Sequence, residues 1–460
     1  MLDVSYDMAH QTGAESRIPD CDAYFEAIQS RKKLPYSLQR TLTSAFVQIP
    51  VSSFPEIPGG KVIEIPANTL IADAVKILSE HKITAAPVTN PEAGDSLDWK
   101  QRYLGILDYS AVILWVLENA ELAAVALTAG SATAAGVGAG AIGALGAVAL
   151  GATGPAAVAG LTVAAVGAAV AGGMAADKGV GKDAPTAAAN MGEDFYKVLI
   201  QEEPFKSTKV EAIIKTFRWA PFLPVGTESS MLTVLLLLSK YRLRNVPVIE
   251  AGNPCVKNFI TQSSIVKGLQ QCKGRDWFDC ISARSLSDFG LPFMSYDEVI
   301  SVRGDEPILE AFKLMKDNRI GGLPVIEGPH RKIVGSVSIH DVRFLLLRPE
   351  LFSSFRKLTV MDFLRTIASA STGSGGAGAT LPVTCLPDAS LGSVIDALAS
   401  RTVHRIYVVE GGDCEVVGVL TLRDVISCFI FEPPDLLDNY FGLAVKELTD
   451  HREHGKPACE

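Results

Sequence analysis

The stretch Asp305-Glu-Pro-Ile-Leu-Glu-Ala-Phe-Lys-Leu-Met315, continued by Arg319-Ile-Gly-Gly-Leu-Pro-Val-Ile326, decides how this chain folds. Ile308, Ala311, Phe312 and Met315 recur in steps of three and four, which places them on one face of an α-helix. The apolar landmark Leu323-Pro324-Val325 follows as a strand. The same register occurs three more times. Counting back from the middle of Ala86-Pro87-Val88, Val246-Pro247-Val248 and Ile406-Tyr407-Val408 gives the helix faces Ile71/Ala74/Val75/Leu78, Met231/Val234/Leu235/Leu238 and Leu391/Val394/Ile395/Leu398.

The regularity extends in both directions. A second apolar run begins at Gly105, Asn258, Gly335 and Gly418, and a helix opens through Asp108, Thr261, Ser338 and Thr421, residue types suited to an N-cap. Short strands are expected ahead of each unit over Val62–Ile65, Pro221–Val225, Val299–Val302 and Leu381–Cys385. The unit reads strand, helix, strand, strand, helix, and the fold class is α/β with four copies. The expected organisation is an N-terminal extension (1–49), repeat one (50–120), an Ala/Gly-rich low-complexity insert (121–192), repeats two (193–273), three (274–350) and four (351–432), and a C-terminal tail (433–460).

Composition excludes several classes. The chain has 460 residues, 48% of them hydrophobic, so it is long enough for several packed cores and is not disordered throughout. Its net charge of −9 argues against a nucleic-acid binder, and the short basic run Arg31-Lys32-Lys33 reads as a solvated helix face. The eight cysteines form no CxxC pair, no Asn-x-Ser/Thr sequon occurs, and the N-terminus has no secretory h-region. A reducing compartment is expected, the cytoplasm first and the nucleus second. Leu122 to Ala176 carries no charged side chain. A low-complexity linker is the preferred reading, since Ala and Gly supply little transfer energy; a membrane-associated hairpin stays open as an alternative.

Over about Pro50 to Phe431, apart from the insert, the sequence resembles the cystathionine-β-synthase (CBS) domain family. Four copies without a catalytic domain resemble the gamma subunits of AMP-activated and sucrose-non-fermenting-related kinases, in the plant-type form. The runs that carry this are Phe217-Arg-Trp-Ala-Pro-Phe222, Leu235-Leu-Leu-Leu-Ser-Lys-Tyr241, Ile260-Thr-Gln-Ser263, the two stretches quoted above, and His404-Arg-Ile-Tyr-Val-Val409. The resemblance implies two paired modules forming a flat disc, kinase alpha and beta subunits as partners, and AMP, ADP or ATP as ligand with no cofactor. It further implies a ribose-holding Asp at the start of each last helix, a Ser or Thr three residues earlier, and basic residues before the second strand for phosphate. Carried over by position, these are Ser338 and Asp341, Thr421 and Asp424, and His404 and Arg405, with Arg244 lending a charge. Ala111 and Ser264 replace the Asp in repeats one and two, so the second module is the expected binding module.

Plainer readings remain for the same residues. Ser338/Asp341 and Thr421/Asp424 have capping-box spacing, His340 reads as a satisfied surface histidine, and Arg423 as solvated. Gly138-Ala-Gly-Ala-Ile-Gly143 lies in the Ala/Gly tract and follows no strand. Asp288-Phe289-Gly290 lacks the lysine and catalytic loop of a kinase, and His451, His454 and Cys459 belong to a charged tail. No catalytic or metal-binding set is expected. The functional expectation is a non-catalytic regulatory subunit coupling energy status to kinase activity. The alternatives are a nucleotide-independent scaffold of the same kinase and a membrane-tethered CBS regulator.

Overall fold

The computed structural model describes residues 18–112, 115 and 207–431, apart from 58–59, 95, 97, 217–221, 251–252, 295, 348–356 and 372–380. The Ala/Gly insert with its Gly138–Gly143 motif, the possible membrane hairpin and the C-terminal tail with its His and Cys residues all lie outside the described residues.

Helices α1 (Ile18–Arg31) and α2 (Tyr36–Gln48) lead into the first unit, which comprises β1 (Ile65–Pro66), α3 (Ile71–Glu80), β2 (Ala85–Thr89), β3 (Tyr103–Asp108) and a helical turn from Tyr109. After α4 (Val210–Thr216) come β4 (Val225–Gly226), α5 (Met231–Ser239), β5 (Asn245–Glu250), β6 (Asn253–Thr261) and α6 (Gln262–Gln270). Helix α7 (Asp276–Ser282) precedes β7 (Val302–Arg303), α8 (Ile308–Asp317), β8 (Gly322–Glu327), β9 (Lys332–Ser338) and α9 (Val342–Leu347). Helix α10 (Val360–Ser371) precedes β10 (Thr384–Cys385), α11 (Leu391–Arg401), β11 (Arg405–Glu410), β12 (Glu415–Thr421) and α12 (Leu422–Cys428).

The helix faces read from the sequence are the buried ones in all four units: Ile71, Ala74, Val75 and Leu78, and their counterparts, line the cores. The landmark strands pair antiparallel with the runs that follow, with Val88 opposite Gly105, Val248 opposite Asn258, Val325 opposite Gly335 and Val408 opposite Gly418. A bulge follows each of these pairs. Two expectations need correction. The second strands begin earlier, at Tyr103, Asn253, Lys332 and Glu415, because polar hairpin ends also join the ladder. The first strands are only two residues long, since each meets its parallel partner at just two positions, as in Ile65 with Val88 and Pro66 with Thr89.

The segment ahead of each unit packs on a different unit. Residues Thr208–Glu211 bond to unit one through Ile71 N to Thr208 O and Val210 N to Thr69 O, while Val51 N and Met231 N tie the chain after α2 to unit two. In the same way Leu358 and Val360 dock on unit three, and Arg284 and Leu286 dock on unit four. Glycine allows this close approach: a Cβ at Gly335 would lie 2.7 Å from Leu364, and one at Gly418 would lie 2.4 Å from Pro292. The exchange defines two pairs, units one with two and three with four. In the second pair β9 and β12 meet, giving a six-stranded sheet ordered β10-β11-β12-β9-β8-β7. Between pairs, one core joins units one and three and another joins units two and four.

The basic run at the end of α1 is not a solvated face throughout. Lys32 is buried, and its ammonium donates to the carbonyls of Ser427 and Ile430 (2.8 Å for the latter) and to Gln29 Oε1 at 2.8 Å. It closes the carbonyl end of α12, where a cation complements the helix dipole. Burial lowers its pKa to about 8. Asp288-Phe289-Gly290 is also structural: Phe289 is buried, Asp288 O accepts from Lys33 N at 2.7 Å, and Gly290 takes a positive φ against Arg31.

Candidate functional site: a cationic cluster at the helix starts of units one and three

Each unit ends its sheet at a capped helix start, and the cap chemistry differs among the four. Thr261 and Ser264 cap each other in unit two. In unit three Asp341 Oδ2 accepts from Ser338 N at 2.8 Å, and in unit four Asp424 Oδ2 accepts from Thr421 N and Oγ1, both at 2.7 Å. Both boxes in units three and four are complete, as their spacing requires. In unit one Asp108 takes the capping role itself, its Oδ1 accepting from Ser110 N at 2.8 Å and Ala111 N at 3.0 Å.

Around the starts in units one and three the fold gathers side chains from distant parts of the chain. The His340 ring meets His404 at 4.9 Å between centroids and Tyr109 at 5.5 Å, edge to face in both cases. A Cβ built on Gly321 would lie 3.1 Å from Arg405 Nη2 and 3.9 Å from Arg244 Nη2, so two guanidinium groups border one stretch of backbone. At Gly322 a Cβ would come within 2.5 Å of Arg405 Nη1, which explains why these positions lack side chains. The Tyr109 hydroxyl is buried beside Arg343; burial raises its pKa and Arg343 opposes the rise.

The electrostatics follow from burial among cations. Burial, with the charges of Arg405 and Arg244, takes His404 down to about 4, so its imidazole is neutral at pH 7. His340 is driven well below its ordinary value by burial first, then by His404, Arg244, Arg405 and Arg343. Burial raises Asp341 to about 6, opposed by the Ser338 amide and by Arg343 and Arg405. Arg405 is itself pushed down by burial, and among the described residues no carboxylate forms an ion pair with it. Such a cleft offers fixed cationic forks and neutral ring nitrogens to an anion, and one carboxylate to hydroxyl donors.

The expected site residues therefore divide into two groups. Ser338, Asp341, His404, Arg405 and Arg244 come together. Thr421 and Asp424 sit elsewhere: burial raises the Asp424 carboxyl against Thr421, Arg423 and Arg242, at the contact of α12 with unit two. His340 is corrected from a surface histidine to a central residue, because β9 delivers it to the seam between the modules. Arg423 is corrected as well, its Nε donating to Ser239 O at 2.5 Å. Asp108, Ser110 and Tyr109 were missed. The acidic cap in a unit that lacks the usual Asp was the one signal available for them.

The CBS domain family matches residues 290–348 and 380–430. An Arabidopsis thaliana protein named SNF1-related protein kinase regulatory subunit gamma-1-like is 65% identical over 437 residues, covering 95% of this chain and 97% of that protein. A second Arabidopsis thaliana protein, SNF1-related protein kinase regulatory subunit gamma-1, is 33% identical with 95% of each covered. A solved structure from Methanocaldococcus jannaschii, presented as an archaeal homologue of gamma-AMPK, aligns with a TM-score of 0.47 at 12% identity, covering 81% of this chain and 97% of that one.

Fold and family match together define a protein built from CBS units. The relatives are similar over nearly their whole length, and the chain belongs to the family of SNF1-related kinase gamma regulatory subunits. It is a non-catalytic subunit. Among the described residues no helix is long and apolar enough to cross a membrane.

Proposed function

We propose that this subunit binds adenine nucleotides in the cleft bordered by units three and four and couples their relative levels to the activity of a kinase alpha subunit held with a beta subunit. The observation that carries the reading is the convergence of Arg405 and Arg244 at Gly321, beside His404 and His340. In this reading the guanidinium groups meet phosphate, Asp341 accepts from the ribose hydroxyls, and Ser338 keeps that carboxylate at the helix start. Thr421 and Asp424 form a second, weaker cleft with Arg423 and Arg242. Regulation then arises by linkage: nucleotides that differ in affinity for two arrangements of the kinase complex shift its equilibrium. The sequence divisions at 50, 121, 193, 274, 351 and 433 are retained as repeat boundaries along the chain. In this reading the complex works in the cytoplasm, with the nucleus as a second compartment, a reducing setting that suits the six unpaired cysteines among the described residues.

One observation favours a nucleotide-independent scaffold. The capping boxes at Ser338/Asp341 and Thr421/Asp424 are satisfied without a ligand, so neither carboxylate needs one. Calorimetric titration of AMP, ADP and ATP into the full chain and into Arg405→Gln decides between the readings. Saturable binding that weakens in the variant supports the nucleotide subunit. Absence of heat with all three, from a protein shown to be folded, gives the scaffold.

A further inference from the structure

The most unusual contact in the cleft joins two residues 136 positions apart. Arg244 Nη1 lies 3.3 Å from Asp108 Oδ2 and also donates to Ser110 Oγ. Asp108 is buried, with a side chain 7% exposed, whereas the Arg244 side chain is 38% exposed. The other carboxylate oxygen is fixed by the Ser110 and Ala111 amides at 2.8 and 3.0 Å. This carboxylate cannot turn away from Arg244 without undoing the helix start that it caps. It therefore occupies the place at the guanidinium that a phosphate oxygen would take, and it does so permanently. Arg244 presents only Nη2 toward Gly321, 3.9 Å from the built Cβ position, and its charge is already balanced.

We propose that Asp108, seated by Ser110, is a built-in anion that neutralises Arg244 and sets the charge preference of the cleft, favouring the nucleoside monophosphate over the triphosphate. The inference rests on the nucleotide reading above and adds the residue that discriminates. One phosphate group can be served by Arg405 with the neutral imidazoles of His404 and His340. Each further phosphate brings charge toward a region where the second cation is matched by a fixed carboxylate, and like charges there repel. Asp108 is a specificity-determining residue and Ser110 a positioning one.

The test uses the full chain with AMP and ATP as probes at one fixed, low salt concentration, and reads the ratio of their dissociation constants. Asp108→Asn keeps an oxygen for the Ser110 and Ala111 amides and removes only the charge. The expected result is a tightening of ATP binding by roughly tenfold relative to AMP. Introducing Arg244→Gln into that variant should cancel the gain, since no freed guanidinium remains. Ser110→Ala removes the hydroxyl that accepts from Arg244 and keeps the amide that seats Asp108, so it should loosen the guanidinium from the carboxylate and move the ratio in the same direction by about twofold; it supplies the answer if Asp108→Asn does not fold. Binding of both nucleotides with an unchanged ratio in Asp108→Asn and Ser110→Ala overturns this proposal alone. Absence of binding by either nucleotide, in the wild type and the variants alike, overturns both this proposal and the nucleotide reading. A gain that survives Arg244→Gln also overturns it, because the charge would then act elsewhere.

Discussion

Arg244 and Arg405 both reach Gly321 but are treated in opposite ways. Arg244 comes from the first pair of units, is partly exposed, and is matched by a carboxylate at 3.3 Å. Arg405 comes from the second pair, is enclosed enough that burial lowers its pKa, and has no ion-pair partner among the described residues. Its nearest hydrogen-bonding neighbour is Tyr407, whose hydroxyl is shared with Ser336 Oγ at 2.9 Å. An enclosed, unmatched cation costs several kcal/mol by general estimates, whereas a matched one costs less. The difference teaches how each charge is met: Arg405 feels the Asp341 carboxylate without an ion pair among the described residues, whereas Arg244 is held directly by Asp108.

The strongest way to break that comparison is Arg405→Gln. Losing a charge-assisted fork should weaken nucleotide binding by about 1.5–3 kcal/mol, roughly ten- to a hundredfold. The same change should leave the unliganded protein no less stable, and by about 1 kcal/mol more stable where the freed volume repacks, because an enclosed cation without an ion pair has gone. Calorimetry reads the first effect and thermal melting without ligand the second. A variant that melts lower and binds normally would make Arg405 a structural residue.

Gly322→Ala attacks the same arginine from the other side. The added methyl would lie 2.5 Å from Arg405 Nη1 and 2.6 Å from the Val337 carbonyl oxygen, and the carbonyl cannot yield without disturbing the β8–β9 ladder. Overpacking of this kind costs about 1–3 kcal/mol, to be read as a lower melting temperature together with weaker binding. The equivalent insertion at Gly321 meets only side chains, the nearest at 3.1 Å, and should cost less. Equal losses at both positions would mean that the two glycines serve the turn and not the arginine.

Much of this architecture was legible before the structure, and the parts that were not share one cause. Helix faces such as Ile308/Ala311/Phe312/Met315 are local: their periodicity states which side is buried whatever they pack against. The capping pairs at 338/341 and 421/424 are local in the same sense. What could not be read depends on partners far along the chain. The docking of α4 on unit one and of α10 on unit three leaves no periodic trace. The pairing of Asp108 with Arg244, the seating of His340 between Tyr109 and His404, and the burial of Lys32 under the end of α12 are likewise set by tertiary position. Composition describes a lysine in a basic run as solvated; only the carbonyls of Ser427 and Ile430 show otherwise. The candidate residues were thus recognisable one by one, while the gathering of Arg405 with Asp341, and of Asp424 with Arg423 and Arg242, was not.

Asp341→Asn sharpens the comparison through pH. Burial raises Asp341 to about 6 in the folded chain, against about 3.9 for an unfolded aspartate. Between those values the native state holds an extra proton, so the stability this group contributes is present below about pH 4 and is lost as pH rises through 6. His404, lowered to about 4, works in the opposite direction, so the quantity to measure is the difference between wild type and Asp341→Asn. Relative to the variant, the wild type should lose stability from pH 4 to 6 and stay level above. Ribose hydroxyls donate to the ionised carboxylate, so wild-type nucleotide affinity should fall between pH 7.5 and 5.5 more steeply than that of the variant. Parallel profiles would remove Asp341 from the ligand contacts.

The smallest expected effect is at Asp424, and it separates the two clefts. Its carboxylate accepts from Thr421 N and Oγ1, and the surrounding cations are Arg423 and Arg242; Arg405 and Arg244 are not among them. Asp424→Ala removes the reciprocal half of a capping box while Thr421 Oγ1 still accepts from the amide of residue 424, at 3.4 Å. A cap defect of this kind costs about 1 kcal/mol, visible as a modest fall in melting temperature. Nucleotide affinity at the Arg405 cleft should stay within about twofold, because the two carboxylates share no partner and distant sites act independently. If Asp424→Ala instead weakens binding as much as Arg405→Gln does, the clefts are coupled and the contrast between the two arginines is no longer a local matter. If it removes one of two calorimetric transitions and leaves the other intact, Asp424 holds a ligand of its own, and the cationic cluster beside Asp341 remains the site where the fold leaves an arginine without an ion pair.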